Sequence, residues 1–115
     1  MKVYGIPNCN TVKKAMDWLK NNNVDFEFHD FKKKGIDTET LKEWSEEIGW
    51  EKLVNKKGTT WKKLTPEEQA KVIDENSAFR LMQEKTSVIK RPVIKVEGKL
   101  LVGFEEQEYK AVFKK

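Results

Sequence analysis

The spacing of apolar residues changes along the chain, and those changes alone divide it into elements. Lys2 to Ile6 is a short strand candidate that stops at the Pro7-Asn8 turn. Val12, Ala15, Met16 and Leu19 then recur at i, i+3, i+4 and i+7, one apolar face of a helix beginning near Asn10. Asn21-Asn22-Asn23 ends it, because asparagine tolerates the left-handed conformation in which helices commonly stop. Val24, Phe26 and Phe28 alternate with Asp25 and Glu27, which predicts a half-buried strand ending at His29. Two strands joined through a helix with so short a return imply a parallel pair and a right-handed crossover.

The middle of the chain keeps the helical period. Leu41, Trp44 and Ile48 form a stripe that stops at Gly49. Thr65-Pro66-Glu67-Glu68 is a capping box with proline at the first helical position, a strong start signal. Ser77 is the expected cap of a further helix carrying Phe79, Leu81 and Met82, and Asn55 to Trp61 reads as a polar loop with an aromatic at its end. Alternation then returns. Pro92 to Val96 and Leu100 to Val102 flank Glu97-Gly98-Lys99, a tight hairpin signal. Glu105-Glu106 open a last helix with Tyr109, Val112 and Phe113 on one side, acids being favoured at a helix start. The order β-α-β, helical middle, β-β-α, without repeats or linkers, predicts one α/β domain.

Composition narrows what such a domain does. Apolar and charged residues each make up 37% of 115 residues, so the surface is heavily solvated. No apolar run approaches the roughly 18 residues of a membrane span. A basic region followed by an apolar stretch is missing at the start, so no signal peptide is expected. A single cysteine forms no internal disulfide, which fits a reducing cytoplasm. The net charge of +4 mildly favours anionic partners. It is carried by 21 lysines and only two arginines, Arg80 and Arg91. Base readout and phosphate forks prefer arginine, so nucleic acid is not the expected partner.

Cys9 is the candidate for chemistry. A thiol at a helix N-terminus meets the positive end of the dipole and unpaired N–H groups, and such thiols fall from about 8.5 to roughly 3.5–7.5 in pKa. The alternative is a small buried hydrophobe, the common fate of a free cysteine. The polar Pro-Asn-Cys-Asn-Thr setting favours the reactive thiol, and Lys13, one turn on, adds positive charge. Arg91-Pro92 opens the third strand and has two readings. One is an edge strand that starts with proline at no hydrogen-bond cost. The other is a cis proline beside a site, with Arg91 offering parallel donors to an anion. Lys56 and Lys57 fit simple loop solvation, Trp44 fits the core, and Trp61 could line a cleft. His29 is the only histidine, so no metal site is expected.

Three segments together resemble the ArsC/Spx family, in its YffB-like branch: Tyr4 to Ala15, Gly58 to Leu64, and Ile89 to Val93 followed by Val102-Gly103-Phe104. The resemblance runs the length of the chain in order. It implies a thioredoxin-like (glutaredoxin-like) fold, a mixed four-stranded sheet over 1–35 and 88–115 with a helical subdomain inserted at 36–87. It also implies a nucleophilic Cys9 and an Arg91-cis-Pro92 pair. Arsenate reductases of the family hold their oxyanion with further arginines, where this chain has Lys57 and Gly103. Lysine is a point charge without a bidentate fork, so the cage for a tetrahedral oxyanion is poorer. The YffB-like branch implies a glutathione-dependent thiol reductase instead. Cys9 and Arg91 would then be catalytic, with Lys13, Lys57, Trp61 and Pro92 around glutathione or substrate. No resolving cysteine is present, so the second thiol comes from outside, with glutathione as co-substrate and no bound cofactor. The Spx branch implies a regulator that binds RNA polymerase and senses oxidants through Cys-x-x-Cys. Here that stretch is Cys9-Asn10-Thr11-Val12, which cannot form the switch.

Overall fold

The computed structural model describes all of residues 1–115. In chain order the elements are β1 (Lys2–Gly5), α1 (Asn10–Asn21), β2 (Glu27–Asp30), α2 (Phe31–Lys34), α3 (Thr38–Ile48), α4 (Trp50–Leu53), α5 (Thr59–Lys62), α6 (Pro66–Ala70) and α7 (Glu75–Glu84). A 3-10 turn at Thr86–Val88 precedes β3 (Val93–Val96), β4 (Lys99–Val102) and α8 (Glu106–Phe113). Two compact units result, one of residues 1–34 with 91–115 and the other of 35–90. No helix is long and apolar enough to cross a membrane.

The first unit is built on a mixed four-stranded sheet in the order β2-β1-β3-β4, a thioredoxin-like α/β arrangement. β1 and β2 run parallel, as the βαβ spacing requires, while β3 is antiparallel to both β1 and β4. β1 spans only four residues, so the ladder reaches no further back than Glu27. The strand expected from Val24 therefore starts three residues later, although Val24 and Phe26 still pack on the core. β3 lies between two partners and is not an edge strand. Glu97 and Gly98 both have positive φ (49° and 78°), the primed turn whose twist suits a two-residue hairpin, and Lys99 joins β4.

One face of this sheet is covered by helices. Val3, Ile94 and Leu101 meet Ala15, Trp18 and Leu19 of α1 and Tyr109 of α8 in a buried cluster. α1 ends as its asparagines predict: Asn23 adopts φ 58°, and the Asn22 side-chain amide donates to the Trp18 carbonyl at 2.8 Å. Tyr109 is fully buried, with its ring edge-on to Trp18 and Phe104 at centroid distances of 5.6 and 4.8 Å. Its hydroxyl donates to the Gly103 carbonyl at 2.9 Å. Burial, with the nearby Glu108 charge, pushes that phenol well above its ordinary pKa.

In the second unit α3, α4 and α7 pack together, burying Leu41, Trp44, Leu53, Ala78, Phe79 and Met82. Val54 and Ile89 form an isolated antiparallel bridge. It is flanked by bonds from Asn55 N–H to the Val88 carbonyl and from Lys90 N–H to the Leu53 carbonyl, both 2.8 Å. The Thr65 box forms as the sequence predicts, with reciprocal bonds to Glu68 of 2.8 and 3.1 Å. The expected Ser77 cap is displaced: α7 starts at Glu75, with Asp74 as N-cap and Ser77 as the reciprocal third residue. The Asp74 carboxylate accepts from Ser77 N–H at 2.9 Å, and Asp74 N–H returns a bond to Ser77 Oγ at 3.1 Å. The polar loop is also shorter than expected, because residues from Thr59 onward form α5.

Two outcomes follow from these contacts. Tyr109→Phe removes one buried hydrogen bond without changing the ring, and should lower stability by about 1–2 kcal/mol. Urea unfolding checks this; an unchanged midpoint would show that the bond contributes nothing net. The bonds from the Ser77 backbone lower the Asp74 pKa, and those from Thr65 lower that of Glu68. Carboxylates lowered in the folded state stabilise it above their ordinary range, and the gain is lost as pH falls through the lowered values. The difference in thermal midpoint between the wild type and Asp74→Ala should therefore be full at pH 7. It should close progressively below about pH 4.

Candidate functional site

The cysteine turn is shaped by a glycine. Gly5 ends β1 and is buried, and a Cβ there would lie 2.8 and 3.1 Å from the two methyl carbons of Val12. The first turn of α1 can therefore lie directly against the end of β1. Ile6 is buried, Pro7 and Asn8 turn in solvent, and Cys9 follows with its N–H donating to the Ile6 carbonyl at 3.3 Å.

Cys9 is the N-cap of α1, with extended φ and ψ of −99° and 124°. Its carbonyl accepts the first helical bond, from Lys13 N–H at 3.0 Å. Its thiol makes no capping bond, and the first turn holds no acidic residue. The thiol is half-buried, at the positive end of a twelve-residue helix that has no acid of its own there to offset it. Lys13 is exposed one turn along.

Arg91 and Pro92 come from the other side of β1. Their peptide bond is cis. The β1–β3 register pairs Tyr4 with Val93 and Val3 with Ile94; continued by two residues, it sets Pro92 against Gly5 and Arg91 against Ile6. The Arg-Pro pair thus lines up with the segment that leads into the cysteine turn. Pro92 is buried and its carbonyl accepts from Gly103 N–H at 2.9 Å. Arg91 is half-buried, with Nε shielded from solvent. His29 is half-buried in β2, 4.7 Å from the Tyr4 ring and 5.9 Å from Phe31.

Of the residues singled out by sequence, Cys9, Lys13, Arg91 and Pro92 belong to the first unit, whereas Lys57 and Trp61 belong to the second. Lys57 is exposed, and its N–H donates to Asn55 Oδ1 at 3.2 Å. Trp61 is half-buried in α5, where its carbonyl accepts from the Gln69 amide at 3.0 Å. The lysine that meets this indole is Lys56, with Nζ 5.4 Å from the ring centroid, a cation–π distance. Residue type and spacing do not separate Lys56 from Lys57, and the family resemblance singles out Lys57. Gly58 permits the local turn, since a Cβ there would lie 2.8 Å from the Asn55 amide nitrogen.

The first unit therefore offers a thiol at the positive end of a helix, an arginine whose backbone falls opposite Ile6 in the continued register, and a lysine one turn on. Guanidinium and ammonium groups are the donors that hold anionic groups in proteins.

Known proteins share this fold. The solved structure of a YffB protein superposes with a TM-score of 0.90 at 44% identity, covering 96% of each chain. An arsenate reductase (ArsC) related protein from Brucella melitensis is 45% identical over 99% of this chain and 94% of its own, with a TM-score of 0.75. The global transcriptional regulator Spx of Lactiplantibacillus plantarum is 25% identical over 92% of this chain and 80% of its own. The family model for the ArsC family matches residues 4–112. The chain thus belongs to the ArsC family, among relatives of arsenate reductases and Spx regulators.

Proposed function

We propose that the protein is a glutathione-dependent thiol reductase whose nucleophile is Cys9. The observation that carries this reading is the position of Cys9: a half-buried N-cap whose thiol is not used for capping. A cysteine serving only as packing would sit on the apolar stripe of α1, where Val12, Ala15 and Leu19 lie.

The cycle needs one protein sulfur and two glutathione moieties. The Cys9 thiolate attacks the glutathionyl sulfur of a mixed disulfide, forming a new sulfur–sulfur bond and releasing the substrate thiolate, which takes a proton from water. The thiolate of a free glutathione then attacks the glutathionyl sulfur held on Cys9. Oxidised glutathione leaves and the Cys9 thiolate is restored. The substrate gains two electrons and the glutathione pool supplies them. Arg91, with Lys13 beside the thiol, pairs with glutathione carboxylates, and Pro92 shapes the turn that presents Arg91. Arsenate is a poorer substrate on this reading, because lysine and glycine stand where a tetrahedral oxyanion needs arginine forks.

Likeness to Spx supports a second reading, a regulator that binds RNA polymerase. Against a redox-switched form of it, the residue three positions after Cys9 is Val12, fully buried and packed on Gly5.

A glutathione-coupled reductase assay, offered a small glutathionyl mixed disulfide and arsenate in parallel, tests the proposal. The wild type should turn over the mixed disulfide, and Cys9→Ser should lose activity on the order of a hundredfold or more. Arg91→Lys keeps the charge but loses the fork, and should raise the KM for glutathione about tenfold. Turnover of neither substrate would sink the enzyme reading. Arsenate turnover above that of the mixed disulfide would reverse the substrate assignment. Polymerase binding that survives Cys9→Ser, without turnover, would favour the regulator.

A further inference from the structure

Tyr109 lies outside the cysteine turn and touches none of its residues, yet two hydrogen bonds in series link it to Pro92. Its ring packs edge-on against Trp18 of α1, the helix whose N-cap is Cys9. Its hydroxyl donates to the Gly103 carbonyl at 2.9 Å, and Gly103 N–H donates in turn to the Pro92 carbonyl at 2.9 Å. The β3–β4 register explains this second bond. Val93 pairs with Val102, so Gly103 falls opposite Pro92 one step beyond the ladder.

The peptide groups on either side of Gly103 are thereby fixed, one through its N–H and the other through its carbonyl. Proline has no N–H of its own, so the Pro92 carbonyl is the backbone group by which this residue can be tied into the sheet. Gly103 has φ +83°, a conformation open to glycine and strained for other residues, and it turns the chain from β4 toward α8. Without the tyrosine hydroxyl the Gly103 carbonyl loses its buried donor, and the segment that bonds the Pro92 carbonyl is held less firmly.

We infer that Tyr109 is a positioning residue: through Gly103 and Pro92 its hydroxyl sets where Arg91 stands relative to the Cys9 thiol. This inference rests on the reductase reading, in which Arg91 binds a glutathione carboxylate. Tyr109 touches no reacting atom; it acts on the site through Arg91. Because burial keeps the phenol protonated, its contribution is constant with pH.

The test is a double-mutant cycle of Tyr109→Phe and Arg91→Lys, assayed at a temperature where circular dichroism shows every variant folded. Tyr109→Phe should raise the KM for glutathione about three- to tenfold, leave kcat within about twofold, and do so equally at pH 6.5 and 8.5. In the Arg91→Lys background the same substitution should change KM less than about twofold, because the residue it positions is already altered. An equal rise in both backgrounds, a fall in kcat alone, or no change would overturn the inference while leaving the reductase reading intact. Calorimetric binding of reduced glutathione to Cys9→Ser, with and without Tyr109→Phe, separates the two failures. Weaker binding with the phenylalanine supports the positioning role even where the wild type shows no turnover. Equal binding overturns it, and no binding to either, with no turnover, overturns both.

Discussion

The close approach of α1 to the end of β1 at Gly5 governs where the one cysteine of this protein lies. Any side chain at position 5 would push against Val12, whose methyl carbons already occupy the space a Cβ would need. With that approach allowed, the chain from Ile6 to Cys9 closes as a tight turn, and the helix begins at Asn10 with the cysteine at its cap. β1 is also the strand to which both neighbours are registered. Asp30 of β2 stands beside Gly5, and the continued β3 register sets Pro92 beside it on the other side. Crowding at one glycine thus fixes the helix start, and the sheet aligns the arginine turn with it.

The far side of the same core supplies rigidity. Trp18, Phe104, Tyr109 and Phe113 form a run of aromatic contacts between 4.8 and 6.0 Å, joining α1, the segment after β4, and α8. Such rings favour tilted and edge-on pairs, which fix their relative orientation as well as burying area. The hydroxyl of Tyr109 is the one polar group carried into this cluster by α8, and it is spent on a backbone carbonyl rather than left unsatisfied. The cluster therefore holds α8 and α1 against one face of the sheet while leaving the cysteine turn at the sheet's end.

Much of this was legible in the sequence because it is local. The stripe of Val12, Ala15 and Leu19, the asparagine stop, the Glu97-Gly98 turn and the Thr65 box all follow from spacing and residue type. The misreadings are non-local or symmetric. The length of β2 is set by a partner 25 residues away in register, which alternation at Val24 and Phe26 cannot show. Asp74 and Ser77 bond each other reciprocally, so either residue type reads as the cap until the chain is seen to turn at Asp74. Trp18 is buried by α8, which no helical period in α1 reveals. The site divides the same way. Cys9 and Arg91-Pro92 announce themselves through turn chemistry and family pattern. The path from Tyr109 to Pro92 joins three segments, and Gly103 shows its role only when the β3–β4 register is known.

The solitude of the cysteine bears on the charge pattern as well. A thiol without a resolving partner must accept its second sulfur from solution, so on the reductase reading the protein has to hold a small anionic thiol twice in each cycle. Lysines spread over the surface raise the local concentration of such an anion without fixing its geometry, since an ammonium is a point charge. Fixed geometry has to come from the single arginine of the sulfur-bearing unit, Arg91. A guanidinium is useful as a fork only when its own backbone is held. The Pro92 carbonyl bond and the Tyr109 bond behind Gly103 tie down the backbone next to it. On the reductase reading, the need to hold an external thiol at one end of the sheet is thus a physical reason for backbone restraint beside it.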